Sequence, residues 1–266
     1  MRGGYVERPA EADLAAELAC TWTVTLDAAG LSLLPDGCLD LLWIDSGRLV
    51  ICGPETAAWR TSLPAGTTAV GVRFRPGVAP AVLGMPVSPL RELRVGMQDV
   101  WGAGASHLSE RLGEAPDPGA RVGILQAAVR ARLADGPPVD RVARAVARRL
   151  VAPPPGARGG VAGLAADLGY SERQLHRRSV AAFGYGPAVL ARILRLQRFL
   201  ALARSGAGPV GVAALAAAAG YADGPHLARE CRALAGATPS ELVARETSDP
   251  FTTASDPPGT LAAPTS

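Results

Sequence analysis

LAADLGYS, at residues 164–171, and LAAAAGYA, at residues 215–222, are diverged copies of one another. After one inserted residue in the second copy, the likeness continues to a shared G-x-x-P ending at residues 184–187 and 236–239. Each copy reads as a short apolar helix, a turn that contains glycine, and a second helix that carries arginine and histidine. This order is typical of a helix-turn-helix, whose second helix enters the major groove of DNA. The tandem repeat therefore favours DNA binding.

The basic charge of the chain is concentrated around this repeat. Residues 1–157 hold 16 arginines and 16 acidic residues, whereas residues 158–245 hold 11 arginines and 5 acidic residues, a net charge of +6. A locally basic domain is what phosphate binding requires. The distribution of charge thus agrees with the motif.

The composition disfavours several other classes of protein. No apolar run reaches the roughly 18 residues that a membrane span needs, and the first residues lack the apolar segment of a signal peptide, so we expect a cytoplasmic protein outside membranes. The four cysteines form no C-x-x-C pair and the three histidines are scattered, which predicts free thiols, no metal site and no cofactor. The sequence also lacks the Walker, G-x-S-x-G and H-E-x-x-H motifs, and no enzymatic activity is expected.

The first half of the chain has the pattern of an antiparallel sheet. Apolar runs at residues 38–44 and 48–53 flank Asp45-Ser46-Gly47, which is a hairpin signal. Residues 69–76 alternate, so one face of that strand is expected to be buried and the other to be basic. The residues expected on the buried face are Val70, Val72 and Phe74.

Helical spacing follows the strands. A short helix is predicted at residues 78–83, and longer ones at residues 122–133 and 142–150. The longer two either cap the sheet or form a dimerisation surface, and the pattern leaves both open. Residues 152–160, rich in proline and glycine, predict a linker, and residues 247–266 predict a disordered tail.

The second helix of the first unit has a cap, a buried face and a basic face. Ser171 is predicted as its N-cap, and Gln174 three residues later completes a capping box. Leu175 is expected to face the core with Ala182 and Phe183. The opposite face carries the candidate DNA-binding residues Arg173, His176 and Arg177. Arginine donates bidentate hydrogen bonds to guanine; the alternative is a merely solvated basic face.

The second unit repeats this plan with fewer long donors. Asp223 is its predicted N-cap, and Pro225 is tolerable in the first turn. The candidate DNA-binding residues are His226, Arg229 and Arg232, and we expect them to contact the DNA backbone more than the bases. A helix from residue 187 to about residue 204 joins the units, and it is long enough to place the two recognition helices in successive grooves.

These residues resemble the AraC/XylS family of bacterial transcription regulators. The likeness covers roughly residues 158–245 and rests on LAADLGYSERQLHRR, on the connecting helix RILRLQRFLALA and on LAAAAGYADGPHLARECRALAGATPSEL. It implies base contacts from Arg173, His176 and Arg177, and from the stretch at residues 224–229. Ser179 and Cys231 stand where the family usually has an aromatic core residue, which predicts looser packing of both recognition helices.

Residues 31–101 are similar to a domain often fused to AraC-type units in actinobacterial regulators. The resemblance implies a cupin-like β domain that binds an effector or forms dimers, and fold-level analogy carries no more than that. Arg73 and Arg75 are the candidate ligands for an anionic effector. A structural ion pair and a solvated strand face are the alternatives for these two arginines.

Together these features predict an α+β protein with a cupin-like β domain and capping helices at residues 1–151, a linker at 152–160, an all-α tandem helix-turn-helix at 161–246 and a tail at 247–266. The predicted function is that of a sequence-specific, one-component transcription regulator that responds to an effector. The expected partners are double-stranded DNA, an unidentified small-molecule effector, RNA polymerase and a second copy of the chain.

Two other functions remain as alternatives. One is a decayed DNA-binding unit that acts as a protein-interaction module. The other is a DNA alkyl-transfer enzyme, which needs an activated cysteine. Cys38 lies beside Asp36 and Asp40 in sequence, and these carboxylates are expected to raise the pKa of its thiol.

Overall fold

The computed structural model describes residues 4–29, 32–151, 159–205 and 211–248. Within them an antiparallel sheet domain precedes a wholly helical region, which confirms the predicted α+β class. The strands are β1 (Val6–Arg8), β2 (Leu18–Thr25), β3 (Ser32–Leu33), β4 (Leu39–Ile44), β5 (Arg48–Cys52), β6 (Trp59–Arg60), β7 (Thr68–Phe74) and β8 (Arg94–Gly96). In the described part of the chain, no helix combines the length and apolar character that crossing a membrane requires.

The helices fall into two groups along the chain. Those associated with the sheet domain are α1 (Ala79–Leu83), α2 (Gln98–Trp101), α3 (Ala103–Glu114) and α4 (Pro118–Asp135). Those of the helical region are α5 (Arg141–Val151), α6 (Gly160–Asp167), α7 (Glu172–Phe183), α8 (Pro187–Ser205), α9 (Val212–Ala219), α10 (Gly224–Ala235) and α11 (Pro239–Ser248). The predicted linker lies, up to residue 158, outside the described residues, as does the predicted tail from residue 249. Residues 247 and 248, where that tail was expected to begin, belong to α11.

The main sheet has six strands in the order β1-β2-β7-β4-β5-β8, and every pairing is antiparallel. Strands β3 and β6 form a separate ribbon. β4 and β5 are the two arms of the predicted hairpin, joined at Asp45-Ser46-Gly47. The apolar runs and the hairpin signal therefore located β4 and β5, and the alternation located β7.

Both faces of the main sheet carry buried side chains. Val70, Val72 and Phe74 lie on the face covered by helices, where Leu125 and Val129 of α4 join the same core. The opposite face was expected to be basic, with a structural ion pair or a solvated side chain as the alternatives at Arg73, and that residue is only 9% exposed. Beside it on β7, a Cβ at Gly71 would lie 2.4 Å from the ring of Trp22, so this face packs closely as well.

The two helices whose role the sequence left open have different roles. α4 caps the sheet, in agreement with one of the two readings. α5 packs on α7 and α8 instead, and its Ala143, Val146 and Ala147 share a core with Leu175 of the recognition region. The chain passes from the sheet domain to the helical region at Asp140. The carboxylate of this residue accepts a hydrogen bond from the amide of Val142 at 2.8 Å and so begins α5. The domain boundaries at residues 151 and 161 remain a prediction.

The sheet domain and the helical region touch at several points. Hydrogen bonds between them include those from Val87 N to Ala181 O at 2.9 Å, from Ala58 N to Leu234 O at 2.7 Å and from Gln197 Nε2 to Pro35 O at 2.8 Å. Leu34 of the sheet domain is buried in the core of the helical region. The two parts are therefore packed together rather than merely tethered.

Candidate DNA-binding surface

Helix α7 begins with a capping box. The hydroxyl of Ser171 accepts a hydrogen bond from the amide of Gln174 at 3.3 Å, and the amide of Ser171 donates to Gln174 Oε1 at 3.0 Å. These bonds satisfy two of the backbone donors that the first turn of a helix leaves without partners. The Gln174 side chain is thus held at the start of the helix by the protein itself.

The buried and exposed faces of α7 lie where helical periodicity places them. Leu175 has no exposed surface, and Ala182 and Phe183 are buried with it. On the other side, Arg173 and Arg177 are exposed. Neither guanidinium has an ion pair or hydrogen bond with any residue that the structure describes. Both are therefore available to an acceptor outside the protein.

Two neighbours of these arginines are held in place by the protein. The ring of His176 lies against the backbone of Gly186, so closely that a Cβ at Gly186 would be 2.7 Å from its Cδ2. Arg178 donates from Nη1 to Asp140 Oδ2 at 2.9 Å and lies over the ring of Tyr170. His176 thus remains exposed beside Arg173 and Arg177 with a restricted orientation, whereas Arg178 is already paired.

Helix α10 has the same architecture in the second unit. The carboxylate of Asp223 accepts a hydrogen bond from the amide of His226 at 2.6 Å, and Pro225 occupies the first turn. Leu227 is buried. Arg229 and Arg232 are exposed, and neither has a partner among the described residues. The exposed face therefore carries two guanidiniums, as in the first unit.

His226 is engaged differently from the other candidate residues. Its Nε2 lies 3.3 Å from Oε1 of Glu230, and its ring meets that of Tyr221 edge-on, with centroids 5.3 Å apart. The Glu230 side chain is 7% exposed and also accepts hydrogen bonds from Arg192 Nε and Arg195 Nη2 of α8, both at 3.2 Å. A contact between His226 and DNA thus requires the imidazole to leave Glu230.

Sequence reasoning missed Glu230. The available signal was an acidic residue four positions after a histidine, in a helix that otherwise carries only basic charges. Its partners Arg192 and Arg195 belong to α8, outside this helix. The pairing itself spans 38 and 35 residues of sequence, which local spacing does not reveal.

Ser179 and Cys231 are core positions, as the family resemblance implied. Both are at most 1% exposed. The hydroxyl of Ser179 has no hydrogen-bond partner within the described part of the chain, which is unfavourable for a buried donor. Burial, with a contribution from Glu230, raises the pKa of the Cys231 thiol to about 11, so the side chain acts there as a small neutral group.

The two arginines proposed for an anionic effector are not brought together. Arg73 Nε lies 3.0 Å from Asp40 Oδ1 and 3.5 Å from Asp36 Oδ2, and its Nη1 lies 3.3 Å from Glu7 Oε1. Burial acts to lower the pKa of Arg73, but these opposite charges outweigh it and hold the pKa well above its usual value. Arg75 donates to the carbonyl of Ala15 at 3.0 Å. Arg73 therefore forms a structural ion-pair cluster, the alternative that the sequence left open.

The cysteines have the pKa values of buried thiols. Burial and the nearby Asp36 raise the pKa of Cys38 well above its usual value, in the direction expected from the flanking carboxylates. Burial also raises the pKa of Cys52 to about 12. Among the residues that the structure describes, no three histidine, cysteine, aspartate or glutamate side chains are grouped to hold a metal ion.

Two known domain families match separate parts of the chain. Residues 6–96 match a domain of unknown function (DUF6597), and residues 164–245 match a helix-turn-helix domain. A stretch of 106 residues is 42% identical to the "Probable bifunctional transcriptional activator/DNA repair enzyme AlkA" of two Mycobacterium tuberculosis strains, CDC 1551 / Oshkosh and ATCC 25618 / H37Rv. It covers 40% of this chain and 21% of those proteins, so the chain spans only about a fifth of the length of these curated relatives.

Two solved structures of Vibrio cholerae ToxT are similar at low identity. ToxT from strain O395 has a TM-score of 0.47 and 12% identity over 86% of this chain and 98% of its own. The 1.65 Å structure in the P21 form has a TM-score of 0.45 and 12% identity over 90% and 97%. The tandem units and their exposed arginines coincide with the matched helix-turn-helix domain, and this domain follows the matched domain of unknown function in the chain.

Proposed function

We propose that the chain is a DNA-binding transcription regulator that reads DNA sequence with α7 and contacts the phosphate backbone chiefly with α10. The observation that carries the proposal is the state of Arg173 and Arg177. Their helix is fixed by a capping box and a buried face, yet neither guanidinium has a partner among the described residues. Unpaired guanidiniums on a rigid helix are what bidentate recognition of guanine requires.

The remaining contacts follow from the exposed faces. His176 lies beside the two arginines, and Arg229 and Arg232 form the corresponding surface of α10. The connecting helix α8 has 19 residues, which corresponds to about 28 Å at 1.5 Å per residue. A spacer of that length suits recognition helices in successive major grooves, about 34 Å apart. His226 joins this set when its ring is released from Glu230.

We further propose that the protein acts in the cytoplasm as a one-component regulator. The sheet domain binds a small-molecule effector, and its direct packing on the helical region supports transmission to the DNA-binding helices. RNA polymerase and a second copy of the chain are the expected protein partners. Alkyl transfer is left out of the proposal, because the cysteine thiols have raised pKa values rather than the lowered ones that a nucleophile needs.

The test is binding of the full chain to the DNA upstream of its own gene and to random duplex, measured by fluorescence anisotropy across a salt series. We expect selective binding with a steep salt dependence. Arg177→Ala should weaken specific binding by about 1–3 kcal/mol and relax the preference at one base pair. Arg178→Ala is the matched control, since its guanidinium is already paired with Asp140, and it should have a smaller effect.

Other outcomes have distinct meanings. Equal losses for Arg177→Ala on specific and random DNA would assign this residue to phosphate rather than to a base. Equal losses for Arg177→Ala and Arg178→Ala would contradict the face assignment. Absence of binding at low salt would contradict DNA recognition by this surface and favour the interaction-module alternative.

A further inference from the structure

A cavity of about 130 Å³ lies between the main sheet and the β3–β6 ribbon. Its wall is mostly apolar and includes Trp22, Leu42 and Ala69 from the sheet, and Leu33 and Trp59 from the ribbon. Its volume is close to the roughly 150 Å³ that accommodates benzene in an engineered protein cavity. The cavity therefore fits a body of about one aromatic ring.

The polar part of the wall is acidic. Asp36, Asp40 and Glu55 line the cavity with a single guanidinium, that of Arg73. The ion-pair partners behind the wall are Glu7, which pairs with Arg73, and Arg94, which pairs with Glu55 at 2.5 Å. This group holds four carboxyl groups and two guanidiniums. An anionic ligand would therefore meet more carboxylates than arginines.

For two of these carboxyl groups, the neighbouring guanidiniums do not offset the effect of burial on the pKa. Burial raises the pKa of Asp36, and Arg73 offsets this only in part while Asp40 adds to it. Burial likewise raises the pKa of Glu55 in spite of Arg94. An added cation would stabilise the ionised carboxylates, because an opposite charge within about 4–6 Å favours the charged form.

We propose that the cavity binds a small apolar organic cation, such as a protonated aromatic amine, with its ring among the apolar side chains and its ammonium group at Asp36 and Glu55. The proposal rests on the proposed function, in which the sheet domain holds an effector. A cationic ligand here takes the place of the anionic ligand that Arg73 suggested from the sequence, since Arg73 is surrounded by carboxylates. The rings of Tyr5 and Trp22, stacked 6.0 Å apart in the wall, favour a cation through their electron-rich faces.

The loops that line the cavity also support the helical region. Pro35, in the cavity wall, accepts the hydrogen bond from Gln197 of α8. The wall residue Gly53 is followed by Pro54, which lies against the Gly184 position at the end of α7. A ligand that moves either loop therefore moves a support of the DNA-reading helices.

The contact between the sheet domain and the second unit also starts beside the cavity wall. Trp59 lines the cavity, and the adjacent Ala58 donates its amide hydrogen to Leu234 O at the end of α10. Tyr185, two residues after the end of α7, is buried, and burial together with Asp36, Cys38 and Glu55 raises the pKa of its hydroxyl. The acidic end of the cavity therefore lies near the end of α7.

The decisive experiment compares three probes that share one ring and differ in charge. Benzylamine, benzyl alcohol and benzoate are titrated into the full chain by isothermal calorimetry or ligand-observed NMR. We expect benzylamine to bind at least about tenfold more tightly than benzoate, which corresponds to about 1.4 kcal/mol. Benzoate binding as tightly as the amine, or no amine binding at about 10 mM, would overturn the proposal.

Two variants locate the site. Asp36→Asn keeps an oxygen to accept the hydrogen bond from the Cys38 amide but removes the charge, so it should weaken benzylamine and leave benzyl alcohol unchanged. Ala69→Leu narrows the cavity and should weaken all three probes. Thermal melting establishes that both variants are folded. Amine binding that neither folded variant alters would place the site elsewhere and overturn the proposal.

DNA affinity measured with and without benzylamine separates the two proposals. We expect a shift of at least about fivefold, at the lower end of the usual range of allosteric coupling, and we expect it to be lost in Ala69→Leu. Charge-selective binding without any shift would retain the cation site and refute the coupling. Absence of selective DNA binding would count against the proposed function, and absence of charge selectivity would count against the cation site.

Discussion

The contact between Pro54 and the end of α7 can be tested with an internal control. Gly184 and Gly236 end α7 and α10 at equivalent positions of the repeat, with φ of 81° and 63°. A non-glycine residue in this left-handed conformation costs about 1–2 kcal/mol. A Cβ at Gly184 would also lie 2.4 Å from Cγ of Pro54, whereas one at Gly236 meets nothing within 4 Å.

We therefore expect Gly236→Ala to lower the free energy of unfolding by about 1 kcal/mol, the conformational cost alone. Gly184→Ala should lower the free energy of unfolding by about a further 1–3 kcal/mol, the usual cost of forcing extra atoms into a packed contact. Urea denaturation of the full chain, followed by circular dichroism, measures both values. The excess loss at Gly184 is the energy of the overlap between the two regions.

A double variant assigns this excess to Pro54. Pro54→Ala removes the ring atoms nearest the new Cβ, so Gly184→Ala in that background should cost about as much as Gly236→Ala, to within about 0.5 kcal/mol. Equal losses for the two glycine variants in the parent chain would refute the packing argument. An excess that persists without the Pro54 ring would do the same.

Three further outcomes are expected. Leu175→Asp should unfold the first unit, because it buries an unpaired charge, whereas His176→Asp on the exposed face should leave thermal melting nearly unchanged; an unchanged melt for Leu175→Asp would contradict the assignment of faces. Glu230→Gln should cost about 2 kcal/mol in urea unfolding, since it removes the charge that pairs with the partly buried guanidiniums of Arg192 and Arg195, against less than about 1 kcal/mol for Asp167→Asn, which removes the charge from the exposed pair with Arg149; equal costs would contradict a structural role for Glu230. Burial raises the native pKa of Asp36, so its contribution to stability is full below about pH 4 and is lost as pH rises through the native value; Asp36→Asn should reduce the stability lost as pH rises above about 4, and an unaltered pH profile would count against this effect.

Local patterns were enough to predict the helical region. The apolar spacing located Leu175 and Leu227 in the core, and S-x-x-Q and Asp-Gly-Pro marked where α7 and α10 begin. These features depend on residues within one or two turns of each other, since capping and helix periodicity are short-range effects. The exposure of Arg173 and Arg177 followed from the same periodicity.

Long-range pairing was beyond the reach of such patterns. Arg73 alternates as an outward-facing strand residue, yet Asp40 and Glu7, 33 and 66 residues away, enclose it. α5 has the apolar spacing of any amphipathic helix. Its apolar face packs on α7 and α8 because the chain turns at Asp140, and the spacing does not reveal that turn. Periodicity indicates that a face is buried but not which element covers it.

The two units of the repeat have diverged where their surroundings differ. Arg178 and Glu230 occupy the same repeat position with opposite charges. Arg178 is 43% exposed and pairs with Asp140 at the start of α5, whereas Glu230 is buried against Arg192 and Arg195 of α8. The first recognition helix is thus anchored to the start of α5, and the second is anchored to the helix that joins the units.

This asymmetry bears on how a ligand signal reaches DNA. α7 contacts the sheet domain directly, through the hydrogen bond from Val87 N to Ala181 O and through the packing of Pro54 against Gly184. α10 meets it through the amide of Ala58, at its last turn. In the proposed mechanism α7 carries the arginines that read bases, so we expect occupancy of the cavity to act mainly on sequence recognition by the first unit. The second unit, held by Glu230, is expected to supply affinity that changes less with the ligand.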